Sequence, residues 1–136
     1  ILFLMAKKNP SPAKLRELVM QALYQKEISG SSNTDLIKQF KQTNRNFNLK
    51  GFENCLKEIK KDILEINSII EKHTNVDIEQ ISKIELAILK QAIYELKQNE
   101  LDSPIIISEA KRLSKRFGQD SSHKFINALL DKVKEF

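Results

Sequence analysis

Cysteine occurs once in these 136 residues, at Cys55, which excludes an intramolecular disulfide. Only His73 and His123 accompany it, so no Cys/His set has the spacing of a zinc site. Glycine and proline number three each, too few for the many tight turns of a hairpin-rich sheet. No run approaches the roughly 20 apolar residues of a membrane span. Ile1-Leu2-Phe3-Leu4 is apolar but has no basic leader and falls short of the roughly 7–15 apolar residues of a signal-peptide core. Met5, followed by Ala6-Lys7-Lys8-Asn9, reads as the natural start. No catalytic residue, metal or cofactor is expected, and the expected compartment is the reducing cytoplasm, without a membrane association.

Helix formers fill the chain instead: Leu, Ile, Lys, Glu and Gln dominate. The length suits one compact domain. A formal net charge of +5 and an isoelectric point near 9.3 favour polyanionic partners, though charge speaks of partners and not of fold. Residues 1–10 read as a flexible basic arm and residues 11–136 as one helical domain.

Ser11 as N-cap and Pro12 at the first helical position open a helix that runs to Ser29, where Gly30 supplies a left-handed stop. Its stripe is Leu15, Leu18, Val19, Ala22 and Leu23. Thr34 is expected to cap a second helix through Gln42, burying Leu36, Ile37 and Phe40. Leu49, Phe52, Leu56, Ile59, Ile63, Ile66 and Ile70 keep helical spacing for more than twenty residues, which predicts one long third helix as the spine. Cys55 beside this stripe reads as a small hydrophobe, since no partner is placed to activate it.

A short helical turn from Asp77 to Ile81 leads to Ser82-Lys83-Ile84-Glu85, which has the form of a capping box. The fifth helix follows, with Ile84, Ala87, Ile88, Ala92 and Leu96 facing inward. Pro104 opens a sixth helix to Phe117, ended by Gly118 as another glycine stop. Ser121 or Ser122 caps the last, whose stripe is Phe125, Ile126, Leu129, Leu130 and Val133. No strand-like alternation and no fixed-period repeat is present. The pattern predicts an all-α fold, a compact seven-helix bundle of two antiparallel three-helix groups packed together. Such an architecture discloses no function by itself.

Four short motifs in order do more. Gln21-Ala22-Leu23-Tyr24, Glu85-Leu86-Ala87-Ile88-Leu89 with Ala92-Ile93-Tyr94-Glu95-Leu96, Phe117-Gly118, and Ser122-His123-Lys124-Phe125-Ile126-Asn127 resemble the NusB family. Pro104, Ile107, Glu109-Ala110 and Leu113 fit its penultimate helix, so the likeness covers Lys14 to Asp131. It implies a role in transcription antitermination: binding of boxA-type single-stranded RNA together with the small-subunit ribosomal protein NusE, within an RNA polymerase complex that reads through terminators, notably on rRNA operons. The arm departs from the Arg-rich family pattern, with Lys7, Lys8 and Lys14 beside Arg16 alone. Lysine offers a point charge where arginine offers a fork. Ala128 stands where many members have glycine, and Ser121 where an acidic residue is usual.

With that likeness, Lys7, Lys8, Lys14 and Arg16 are the expected phosphate contacts, set against a merely solvated basic tail. Tyr24, Phe117 and Phe125 are candidate platforms for unstacked bases, set against a place in the core. Lys111, Arg112, Lys115 and Arg116 cluster in the penultimate helix and Lys124 follows. Free N–H groups from Ser122 onward would add to an anion site, while the opposing reading is an amphipathic helix with a charged exterior. His123 has no nucleophile or orienting carboxylate at a defined spacing and reads as a polar or RNA-edge residue, not a base. Glu85 is the expected partner contact, with a helix cap as its bland alternative. Two further readings share the helices. A NusB-like domain of an rRNA methyltransferase needs a following Rossmann-like domain, and residues up to Phe136 contain no glycine-rich turn for one. A protein-interaction scaffold predicts basic side chains scattered over the surface.

Overall fold

The computed structural model describes residues 11–134. Among them are seven α-helices, one 3-10 turn and no strand. In chain order they are α1 (Pro12–Ser29), α2 (Asn33–Thr43), α3 (Leu49–Lys61), α4 (Ile63–Lys72), the turn Ile78–Gln80, α5 (Lys83–Gln98), α6 (Ser103–Phe117) and α7 (Ser122–Val133). The chain divides into two compact units between Glu58 and Ile59.

In the N-terminal unit α1 starts as expected. Ser11 Oγ accepts from Ala13 N at 3.1 Å and Lys14 N at 3.4 Å, and Gly30 ends the helix at φ 69°. The cap of α2 differs from expectation: it is Ser32, whose Oγ accepts from Asp35 N at 3.1 Å, so Thr34 falls inside the first turn. Gln25 and Gln39 exchange amide hydrogen bonds at 2.7 and 3.0 Å and join α1 to α2. Asn33 Nδ2 donates to Leu56 O at 3.2 Å, tying the start of α2 to α3. Phe40 stacks on Phe52 with centroids 5.2 Å apart, and Phe47 meets Phe52 edge-on at 5.6 Å. Leu18, Val19, Met20, Leu36, Phe52 and Leu56 are buried.

The predicted spine is two helices, not one. At Asp62 (φ −98°, ψ 13°) the chain leaves helical geometry and α4 begins. The buried residues stay in phase across the break, because the seven residues from Ile59 to Ile66 make about two full turns. The break has its own anchor: Lys97 Nζ, from the end of α5, lies 3.3 Å from Asp62 Oδ2 and 2.7 Å from Glu65 Oε2. Burial alone would lower the Lys97 pKa, but the two hydrogen bonds and the two carboxylate charges outweigh it and raise the value above 10.5.

Helix α5 is the centre of the C-terminal unit and packs against α4, α6 and α7. The expected single inward face understates it. Leu86, Leu89, Ile93 and Tyr94 are buried as well as Ala87, Ile88, Ala92 and Leu96, and Ile84 is only half-buried. Apolar side chains at consecutive positions leave no continuous polar face, the mark of a helix enclosed on most sides. Asn99 closes it in the left-handed region at φ 55°, a conformation asparagine tolerates almost as glycine does.

Candidate nucleic-acid interface

The α6–α7 junction gathers five of the candidate RNA residues within one unit. Lys115 and Arg116 are exposed in the last turn of α6, where cations also complement the negative end of the helix dipole. The Arg116 guanidinium carbon lies 4.8 Å from the centroid of the half-buried Phe117 ring. One ring face is therefore covered by a cation that itself presents a plane for stacking.

Gly118 ends α6 as expected, but without a left-handed turn. Its φ is −91°, open to any residue. Glycine is required by proximity: a Cβ there would stand 2.7 Å from Ser114 O and 2.8 Å from both Ser122 Cβ and Oγ. Ser122, 2 % exposed, accepts from Gln119 N at 3.0 Å through Oγ and gives its own N–H to Gln119 O at 3.0 Å. Ser122, expected to contact RNA, is thus occupied in shaping the loop. The expected free N–H groups at the start of α7 are also partly used, since Lys124 N donates to Ser121 O at 3.2 Å and Phe125 N to the same oxygen at 3.4 Å. What the junction offers an anion is side-chain charge, from Arg116 and the exposed Lys124, beside the half-buried rings of Phe117 and Phe125. Arg112, one turn earlier on α6, is held by Glu109 through Nε at 2.7 Å.

In the N-terminal unit, Lys14, Arg16 and Tyr24 share α1. Lys14 is exposed, with Nζ 3.5 Å from the buried Glu17 carboxylate, while Arg16 is half-buried. Two residues apart, their side chains leave α1 about 200° apart, so they do not form one stripe. Tyr24 borders a recess of about 470 Å³ with Gln21, Gln25, Ile28, Gln39 and Asn44. Lys7 and Lys8 lie outside the described residues. Glu85 sits half-buried in the first turn of α5, and only half of its expected capping box is formed. Ser82 Oγ accepts from Glu85 N at 3.2 Å, and among the described residues the Glu85 carboxylate makes no return bond.

The sequence singles out the aromatic and basic members of the junction, and Gly118 and Ser122 as helix stop and cap, but not the frame that these two build with Gln119. The only local signal was a glycine three residues before a serine pair. No three His, Cys, Asp or Glu side chains among the described residues gather as metal ligands. Nor is any helix among them long and apolar enough to cross a membrane.

The model of the NusB family matches residues 13–135, which include every element described above except the first residue of α1. The chain belongs to the NusB family. Among its relatives, the transcription antitermination protein NusB of Colwellia psychrerythraea is 35% identical over 129 residues, covering 92% of this chain and 94% of that protein. The T. maritima NusB structure superposes with a TM-score of 0.81 at 25% identity, covering 93% of each chain. A structure of the antitermination factors NusB and NusE in complex with dsRNA shares the fold at a TM-score of 0.82 and 21% identity, covering 90% of this chain and 95% of that one. The Phe117-Gly118 and Ser122-to-Asn127 motifs that suggested the family thus fall in a junction whose loop they shape.

Proposed function

We propose that this chain is a cytoplasmic, non-catalytic RNA-binding antitermination factor. In this reading it binds boxA-type single-stranded RNA together with the ribosomal protein NusE and acts within the RNA polymerase complex to promote read-through, notably of rRNA operons. The observation that carries the proposal is the family match across residues 13–135, with relatives named for antitermination. The α6–α7 junction supports it chemically: cations for phosphates lie beside aromatic rings for bases. Lys7, Lys8, Lys14 and Arg16 supply further phosphate contacts, Tyr24, Phe117 and Phe125 are base platforms, Arg116 and Lys124 hold the backbone, and Glu85 faces NusE. Lys14 and Arg16 leave opposite sides of α1, so each meets a different stretch of RNA or one of them serves the fold.

The test is a titration of labelled boxA and scrambled RNA, with and without NusE, over a range of salt. Preference for boxA that sharpens with NusE is the expected result, and equal binding of both RNAs in either condition overturns it. Replacing Lys7, Lys8, Lys14 and Arg16 together by alanine should reduce affinity and flatten the salt dependence by roughly 0.7 per lost phosphate contact. An unchanged slope would place the RNA elsewhere.

A further inference from the structure

Between Asp35 and Glu53 the chain carries no acidic residue and four cations, Lys38, Lys41, Arg45 and Lys50. This stretch covers most of α2, the 44–48 connection and the first turn of α3, all within the N-terminal unit. All four side chains are exposed, and among the described residues none has an ion-pair partner. Lys14, Lys97, Arg112 and Lys134, by contrast, each sit against a carboxylate.

The helices aim these charges outward. Lys38 lies two residues from both Leu36 and Phe40, and Lys50 two from Phe52, so each leaves its helix roughly opposite a buried side chain. The corner they share is held by the Phe40, Phe52 and Phe47 rings, and Asn46 turns the chain there at φ 56°. Phe47 remains half-exposed, between Arg45 and Lys50 in the chain. An ordinary solvated stretch mixes both signs of charge, whereas here the exposed Asp35 and Glu53 stand only at the two ends of a run of one sign, and such a run attracts a polyanion.

We propose that this α2–α3 corner is a second RNA surface, which holds single-stranded RNA flanking the sequence-specific element. The four cations meet phosphates and Phe47 receives an unstacked base. Phosphate contacts position without reading, so the corner binds flanks of any sequence. The inference rests on the RNA-binding reading above, and the experiment separates the two.

Full-length protein with NusE is titrated against a boxA element alone and against the same element extended on both sides by oligouridine, at several salt concentrations. The comparison variant is Lys38→Gln/Lys41→Gln/Arg45→Gln/Lys50→Gln. It should bind the short RNA like the wild type but lose roughly tenfold on the extended RNA, with a salt slope smaller by roughly 2 to 3 for up to four contacts. An unchanged slope on the extended RNA overturns the proposal. So does an equal loss on both RNAs, which would put the corner inside the primary site. A variant impaired only toward NusE assigns the face to a protein and equally overturns it. Wild-type protein that binds neither RNA sinks the RNA-binding reading itself. A photo-reactive benzoylphenylalanine in place of Phe47, in an otherwise unaltered chain, decides the matter even if the quadruple variant fails to fold. It should cross-link to the uridine flanks, and cross-links confined to the boxA element overturn the inference.

Discussion

Lys97 shows how much of this fold's polar chemistry is spent on holding helices together. It reaches 35 residues back to Asp62 and 32 back to Glu65, at the one place where the expected long helix is broken. Lys97→Met should cost about 1 kcal/mol, since both carboxylates keep some access to water. The pH dependence has a definite sign. Folding raises the Lys97 pKa above 10.5, so its contribution is complete below that pH and fades as pH climbs past it and through the folded value. Melting curves from pH 8 to 11.5 should show wild type losing part of its advantage over the variant only at the alkaline end. A constant gap would mean that the ammonium charge is not what stabilises the break. Gly118 is the other residue with an unambiguous demand. Gly118→Ala should destabilise by roughly 1–3 kcal/mol, because the clash at 2.7 Å is with backbone, which gives way poorly. Gly30→Ala meets nothing within 4 Å and should cost about 1 kcal/mol for its left-handed φ alone. Reversal of that order in thermal unfolding would contradict the proximity argument.

Elements were legible in the sequence wherever one turn of helix follows another, and least legible where a contact distant in sequence decides. The stripes on α1, α3 and α7, the Ser11 and Ser82 caps and the Gly30 stop are local, and the structure reproduces them, with Leu15, Leu49 and Phe125 half-buried at the stripe edges. The break at Asp62 was invisible because a two-turn step preserves the helical phase and the lysine that anchors it lies on α5. The burial of α5 on most sides depends on what packs around it, which periodicity of one segment cannot reveal. At the candidate interface the cations and rings could be read from residue type, whereas the task of Ser122 could not, since a serine in a motif looks the same whether it meets a ligand or a loop amide. The start of α2 offers a direct check, for Ser32 and Thr34 are both good caps by composition and only Ser32 Oγ reaches an open N–H. Ser32→Ala should therefore lower stability by about 1 kcal/mol, and Thr34→Ala by no more than a few tenths. The opposite ranking in denaturant titrations would restore Thr34 as the cap.

At the scale of the whole molecule, the two proposed partners ask for opposite charges, and this lets their surfaces be separated by mutation. The RNA contacts proposed above are lysines and arginines, residues whose surplus gives the chain its net +5, while the contact proposed for NusE is a carboxylate. Glu85 is suited to the second task because its carboxylate makes no capping bond among the described residues. The helix start is capped by Ser82 Oγ, which takes the Glu85 N–H, and the half-buried carboxylate is not needed for that bond. Glu85→Gln keeps the size of the side chain and the backbone donor, so the melting temperature should stay nearly constant. If the carboxylate meets a basic group on NusE, the same change should weaken the heterodimer by roughly 1–3 kcal/mol, the scale of one charge-assisted hydrogen bond. RNA binding by the isolated chain should be spared, because an acidic side chain does not hold phosphate. Calorimetry of the variant against NusE, paired with its melting curve, decides between the roles. Wild-type affinity for NusE with a lowered melting temperature would return Glu85 to the capping box, and the partner surface would then have to be sought on another helix.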